Sequence, residues 1–423
     1  MFKKIFINLI LIMIVSVPLY AQSILINMDH LQSDHLKAYG IAYWTLARGQ
    51  NVEWLLNYRG GSFLTAGNES VAERCRLLGV NFEVIGPGEE ANIRATIEDN
   101  NMESVLLEKA PKVAIYAPPN SNDEPWDDAV NLALEYAEIP FDIIWDDGVL
   151  DGKLYDYDWV HLHHEDFTGQ FGKFYASYRN TIWYKRNKAI NEETARRLGY
   201  KKVSQLKLAV AKELKKYIAS GGFLFAMCSA TDTYDIALAA ENVDIVPQEF
   251  DGDPVDPGCQ EKLDFSNSLA FENYELVLDP LVYEHSTIDT SPKRAGGLLG
   301  PEADFFVLFD FSAKYDPVPT MLVQCHVDVV NGFLGQCTGY HAQFVKNYIT
   351  ILGDSEDKGE VKYLHGKFGA GTFTFLGGHD PEDYQHRIGD PPTNLELHKN
   401  SPGYRLILNN VLFPAAEKKE RKT

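Results

Sequence analysis

Cysteine is scarce: the chain of 423 residues has 5. That is too few for a scaffold built on disulfides, and an odd number leaves at least one thiol without a partner inside the chain. Basic residues are also few, 39 Lys+Arg against 60 Asp+Glu, for a formal net charge of −21. A nucleic-acid binder needs a Lys/Arg surface to neutralise phosphates, and an anionic membrane face also selects basic segments, so neither partner is expected. No apolar run beyond the first residues is long enough to span a bilayer, so no stable membrane span is expected once that segment is removed. Neither a Gly-x-Gly-x-x-Gly fingerprint nor a Walker loop occurs, so nucleotide binding has no motif behind it. What is present is an acidic chain, 45% hydrophobic, long enough for two or three domains and a sizeable core. Its expected partner is a small polar molecule such as a sugar or an amide.

Residues 1–21 read as a secretory signal peptide. Lys3 and Lys4 precede an almost wholly apolar stretch over 5–17, and Ala21 is a small residue at the cleavage point. About 13 apolar residues fall short of the roughly 20 that a spanning helix needs. The expectation is an exported protein, periplasmic or extracellular.

Strand and helix patterns then alternate. Residues 22–110 read as a small α/β unit, with strand-like runs at 23–28, 52–58 and 81–85 and helical spacing at 30–48 and 69–78. Residues 99–109 are mostly polar and read as a connector. A second series fills 111–416, with strands at 112–117, 141–145, 159–163 and 223–227. Phe223-Leu-Phe-Ala-Met227 is apolar throughout, as in a strand buried on both faces. Pro125 sits where a helix can begin, with Asp127 and Asp128 in a first turn whose dipole favours negative charge. Further helices are expected at 203–219 and 232–240. Residues 241–320 lose this rhythm and read as an insertion. Strand patterns return at 321–326, 361–368 and 371–376, before a closing helix at 404–412 and a charged tail at 417–423. The class expected is α/β with a mostly parallel sheet.

Ligands of open α/β sheets gather outside the carboxyl ends of the strands. Three such ends carry reactive residues. At the first, the strand 223–227 runs into Cys228 and Ser229, with Ala226 and Ala230 as small neighbours. A nucleophile on a tight strand-to-helix turn tolerates little bulk beside it, although an inert buried Cys fits the same string. At the second, His161, His163, His164, Glu165 and Asp166 close together suit substrate contact by His163, His164 and Glu165, or a polar loop. At the third, Gly377-Gly378 lead into His379, Asp380 and Glu382, the composition of a general base with an orienting acid or of a turn that caps a helix. Asn120, after Pro118-Pro119, and Trp126-Asp127 add a candidate pocket wall. No cofactor is expected, the alternative being a transition-metal ion on His163, His164, Glu165 and His379.

Around Cys228 and His379 the sequence resembles the class I glutamine amidotransferase-like superfamily, over about 112–414. Gly377-Gly378-His379-Asp380-Pro381-Glu382, Tyr404-Arg405 with Asn409-Asn410, and Gly221-Gly222 with Cys228 look like parts of trehalose-utilisation (ThuA-like) domains. Over nearly the whole mature chain, His35-Leu-Lys-Ala-Tyr-Gly40, the run from Trp54 to Phe63, the run from His161 to Gly169 and Ala226-Met-Cys-Ser-Ala-Thr231 resemble an exported Bacteroidetes family commonly labelled asparagine synthetase B. The superfamily resemblance implies a flavodoxin-like parallel sheet with a small amino-terminal α/β unit and insertions. It also implies a Cys–His hydrolase or amidase: Cys228 the nucleophile, His379 the base, Asp380 or Glu382 the orienting acid. Two alternatives stand beside it, a non-catalytic ThuA-like sugar or small-ligand binding protein and a metal-dependent hydrolase. The asparagine synthetase label implies an amino-terminal Cys and a Ser-Gly-Gly-x-Asp-Ser loop for ATP; here Phe2 follows Met1, and Ser220-Gly221-Gly222 runs into Phe223. Ala226 and Ala230 also stand where the superfamily elbow has Gly.

Overall fold

The structure is a computed structural model that describes residues 22–119, 125–290, 304–355, 359–383 and 388–416. The expected signal peptide, Asn120 and the charged tail lie outside the described residues. No helix among the described residues is long and apolar enough to cross a membrane.

The chain opens with β1 (Ser23–Ile26), α1 (His35–Leu46), β2 (Val52–Leu56), β3 (Ser62–Ala66), α2 (Glu69–Leu78), β4 (Glu83–Ile85), α3 (Pro87–Asp99) and β5 (Glu103–Leu107). These five strands make one antiparallel sheet in the order β4-β1-β3-β2-β5. The segment expected as a connector therefore holds β5. Its short Glu103-Ser-Val-Leu-Leu107 run is set among polar residues, and beyond β2 only a bridge from Leu107 to Ala416 continues it.

The second series is β6 (Val113–Tyr116), α4 (Ala129–Tyr136), β7 (Asp142–Ile144), α5 (Asp146–Leu150), β8 (Trp159–Leu162), α6 (Tyr175–Tyr178), α7 (Ile182–Arg197), α8 (Val203–Ala219), β9 (Phe223–Met227), α9 (Ser229–Ala239) and α10 (Gln248–Asp251). It continues with β10 (Phe305–Leu308), β11 (Val329–Asn331), β12 (Tyr340–His341), β13 (Thr350–Ser355), β14 (Glu360–Phe368), β15 (Gly371–Leu376) and α11 (Pro402–Leu412). Strands β7-β6-β8-β9-β15 lie side by side and parallel, and β14, β13, β10 and β11 extend the sheet antiparallel beyond β15. The class is α/β as expected, but the sheet is mixed. Residues 321–326 are not a strand: a 3-10 turn at Val318–Val323 covers that stretch. The insertion also contributes a strand, β10, to the sheet.

Burial explains the continuous apolar reading of β9. Phe223, Phe225 and Met227 enter one core, and Leu224 and Ala226 enter the other. The second core is closed by residues of α5 and α7 to α10. The first is shared: α1, α4 and α11 lie between the two sheets, and Ile24, Trp54 and Phe63 of the first sheet join Leu406 and Val411 in it. Helix α1 sits close against the end of α4, where a Cβ on Gly40 would fall 1.9 Å from the Ala137 carbonyl oxygen. Glycine inside a helix costs about 1 kcal/mol, and here the close approach requires it.

Arg405 of α11 ties the sheets together. Its side chain is fully buried and donates to the carbonyls of Met28 (3.1 Å) and Gly60 (2.7 Å) and to His326 Nδ1 (2.9 Å). His326 in turn stacks on His35 at 4.4 Å. Burial first, and the Arg405 charge second, hold His326 down to about 3 and His35 down to about 4. Both rings titrate near 6.5 in an unfolded chain. As pH falls, the unfolded state therefore takes up protons first, and stability present above pH ~6.5 is lost towards the folded values. Arg405→Leu is expected to cost about 3 kcal/mol or more, because several charge-assisted bonds to buried acceptors go together. Calorimetry at neutral pH checks this; an unchanged melting temperature would contradict the clamp.

Candidate functional site

The parallel strands β6, β8, β9 and β15 end on one edge of the sheet, and the loops beyond them build the site. Helix α4 begins there too. The sequence places its start at Pro125, but the helix begins at Ala129, and Asp128 is its N-cap. Its Oδ1 accepts from Val130 N–H (2.8 Å) and Asn131 N–H (3.0 Å). Asp127 and Asp128 therefore sit outside the helix, facing the ends of β8 and β15.

Three imidazoles converge here. His163 and His164 follow β8, and His379 follows β15. Their ring centroids lie 4.0 Å (His163 to His164), 4.6 Å (His163 to His379) and 4.8 Å (His164 to His379) apart. His163 and His379 are buried, while His164 is partly exposed. His164 Nε2 lies 2.7 Å and His379 Nε2 2.8 Å from the Asp127 carbonyl oxygen. A carbonyl only accepts, so each ring carries its proton on Nε2 and presents a lone pair at Nδ1. His163 Nδ1 lies 3.0 Å from Asp128 Oδ1, and its Nε2 has no hydrogen-bond partner among the described residues. One ligand atom from each of the three rings falls within 4.8 Å of the others, a spacing suited to a metal ion.

The carboxylates around them differ in charge. Burial, then the neighbouring Asp380, pushes Asp127 up to about 6; its Oδ1 lies 3.9 Å from His379 Nε2. Burial alone would raise Asp128 as well, but His163 and His161 hold it well below the usual carboxylate range. Asp380, fully buried, accepts from the Glu382 N–H (2.7 Å) and the Tyr404 hydroxyl (2.7 Å). Glu382 lies 3.0 Å from His398 Nδ1. Asp127 thus lies against the His379 ring, while Asp380 and Glu382 engage Tyr404 and His398. The sequence places Asp127 in a candidate pocket wall but does not mark it or Asp128 as carboxylates facing the histidines, because two acids before a helix also satisfy its dipole.

Cys228 adopts the turn its small neighbours suggested. Its backbone has φ 50° and ψ −139°, a strained conformation for a residue with a side chain. From that turn, Ala230 N–H donates to the His163 carbonyl (3.1 Å) and the Ser229 hydroxyl to the His164 carbonyl (3.1 Å). The turn therefore fixes the backbone that carries the two histidines. Gly378 stands opposite, with φ 95°, where a Cβ would come 1.5 Å from the Phe333 carbonyl oxygen. That approach lets residues 332–339 cross over the turn. The Gln336 N–H donates to Cys228 Sγ at 3.3 Å, and among the described residues no hydrogen bond joins that sulfur to His379. Burial pushes the thiol up to about 11, despite the N–H groups of Cys337, Gln336 and Ser229 around it.

Beside His164 opens a small cleft of about 50 Å³, lined by Trp126, Phe174, Trp183, Trp145 and Lys207. Glu165 lines it as well, with one carboxylate oxygen 3.3 Å from the His163 N–H. Lys207 is held by Asp146 (3.0 Å) and the Tyr116 hydroxyl (2.9 Å). Elsewhere, Asp244, Asp251 and Asp253 surround the Lys202 ammonium, which pairs with all three.

No family profile and no curated protein sequence matches the chain. Among solved structures it is similar to Cytoplasmic Protein STM3548 from Salmonella typhimurium, at 11% identity and a TM-score of 0.35, over 73% of this chain and 100% of that one. It is also similar to Cytoplasmic Protein STM1381 from Salmonella typhimurium LT2, at 12% identity and a TM-score of 0.32, over 72% and 100% of the two chains. A beta-galactosidase from Bacillus circulans sp. alkalophilus aligns at 13% identity and a TM-score of 0.26, over 70% of this chain and 32% of the enzyme. Fold and site together define an α/β protein with a histidine cluster at the carboxyl ends of its parallel strands.

The burial of Cys228 generates a direct expectation. In the folded protein its thiol should react with iodoacetamide much more slowly than a model thiol at pH 8, and at full rate only after unfolding. Rapid labelling of Cys228 in the native protein, followed by peptide mapping, would contradict this environment.

Proposed function

We propose that the protein is a hydrolytic enzyme for a small polar substrate, working through a divalent transition-metal ion held by His163, His164 and His379. The observation that carries this is the convergence of three imidazole ligand atoms within 4.8 Å beside a small cleft. Catalytic zinc sites commonly use three protein ligands and leave a fourth position for water or substrate. The ion would lower the pKa of a bound water towards 7 and polarise the bond to be cut. His164 and His379 are oriented by the Asp127 carbonyl, and His163 by the Asp128 carboxylate, the outer-shell support that metal-binding histidines use. The Asp127 carboxylate, 3.9 Å from His379 Nε2, would support that ring from the side away from the ion.

The parallel strands run in the chain order 2-1-3-4-5, which supports the flavodoxin-like, class I glutamine amidotransferase-like reading. Export rests on the sequence of residues 1–21. A second reading keeps Cys228 as the nucleophile, favoured by its φ of 50°. It requires residues 332–339 to move off the sulfur and His379 to turn towards it.

Metal analysis of untagged protein purified without chelator tests the proposal. At least one equivalent of a transition metal is expected, with His164→Ala weakening its binding about 100-fold or more. Less than about a tenth of an equivalent, with no uptake of added Zn²⁺, would set the proposal aside. Metal binding should weaken as pH falls below about 6.5, where imidazoles take up protons.

A further inference from the structure

His161 is not used by the site described above, yet it is fully buried and lies two residues before His163 on β8. Its ring packs beside both Trp159 (5.8 Å, 15° between planes) and Phe225 (5.4 Å, 29°), which also touch each other at 5.6 Å. Its Nδ1 is 3.1 Å from the Phe225 carbonyl oxygen, which only accepts, so Nδ1 carries the proton. A neutral ring then presents a lone pair at Nε2. That lone pair faces Asp128 Oδ1 at 3.5 Å, and among the described residues Nε2 has no hydrogen-bond partner. Two electron-rich atoms facing each other in a buried site repel unless a proton or a cation lies between them. A proton shared between them would draw the two atoms to about 2.7–2.9 Å, and the 3.5 Å separation is longer than that.

The distances fit a metal ion instead. Asp128 Oδ1 is 3.0 Å from His163 Nδ1 and 3.5 Å from His161 Nε2, and the three atoms lie within 4.8 Å of one another. Ligands about 2.0–2.1 Å from a tetrahedral zinc are separated by about 3.3–3.4 Å. The same Oδ1 also accepts from the Val130 and Asn131 N–H groups, which fix its position at the start of α4. We infer that Asp128 Oδ1, His161 Nε2 and His163 Nδ1 hold a second divalent transition-metal ion, deeper than the first, with His163 bridging the two.

Binding the deeper ion alone moves the His163 proton from Nδ1 to Nε2 and puts Nδ1 and Asp128 Oδ1 on the metal; binding the outer ion as well releases that proton to solvent. When both ions are present, His163 is an imidazolate, Nδ1 on the inner ion and Nε2 on the outer. The inner site extends the metal reading above without depending on it, because the inner ion can bind alone.

Crystals of the untagged protein equilibrated with saturating Zn²⁺ test this by anomalous scattering at the zinc edge. The expected peak lies about 2.0–2.2 Å from each of the three inner atoms. Absence of that peak overturns the inference, whether or not the outer position is filled. In solution, titration with Co²⁺ is expected to show two binding events. His161→Gln should weaken one of them at least tenfold, and His164→Ala the other. A His161→Gln protein that keeps both events overturns the inner site, and a His164→Ala protein that keeps both overturns only the outer one. If His161→Gln does not fold, the wild-type anomalous map decides alone.

Discussion

The site depends on one carboxylate. Asp128 accepts from the first free N–H groups of α4 and, with the same oxygen, faces two imidazoles from β8. A single residue therefore sets where a helix starts and where the histidines of a neighbouring strand point. The neighbouring Asp127 carbonyl then orients His164 and His379, which come from two different strand ends. Removing the Asp128 side chain would free two helix donors and two buried rings at once, which is why fold and site are coupled there.

Burying so many polar groups needs compensation, and the Cys228 turn supplies much of it. Its strained backbone brings the start of α9 beneath β8, where Ala230 and Ser229 satisfy the carbonyls of His163 and His164. Gly378 allows residues 332–339 to close over the same turn and to shield the thiol from solvent. In this arrangement the elbow geometry serves positioning: the strain is stored under the histidines rather than on an exposed sulfur.

Much of this architecture is legible in the sequence. The buried strand β9 shows in five consecutive apolar residues, and α8 in a long amphipathic repeat, because local periodicity records which faces are covered. The reactive strand ends are legible because Cys228, His163 and His379 each follow a strand-like run. What is not legible is set at long range. The edge strand β5 is a short run set among polar residues, and the antiparallel half of the sheet carries no helical punctuation. The roles of Asp127 and Asp128 require knowing that α4 opens opposite β8 and β15. The burial of Cys228 depends on a loop about a hundred residues later in the chain.

The central claim is that imidazole nitrogens, and not the elbow thiolate, form the reactive centre. X-ray absorption on the zinc-loaded protein in solution tests it most directly. The account predicts a first shell of nitrogen and oxygen at about 2.0–2.1 Å, with the outer scattering that imidazole rings produce. A sulfur scatterer at about 2.3 Å would place Cys228 on the metal and contradict the account.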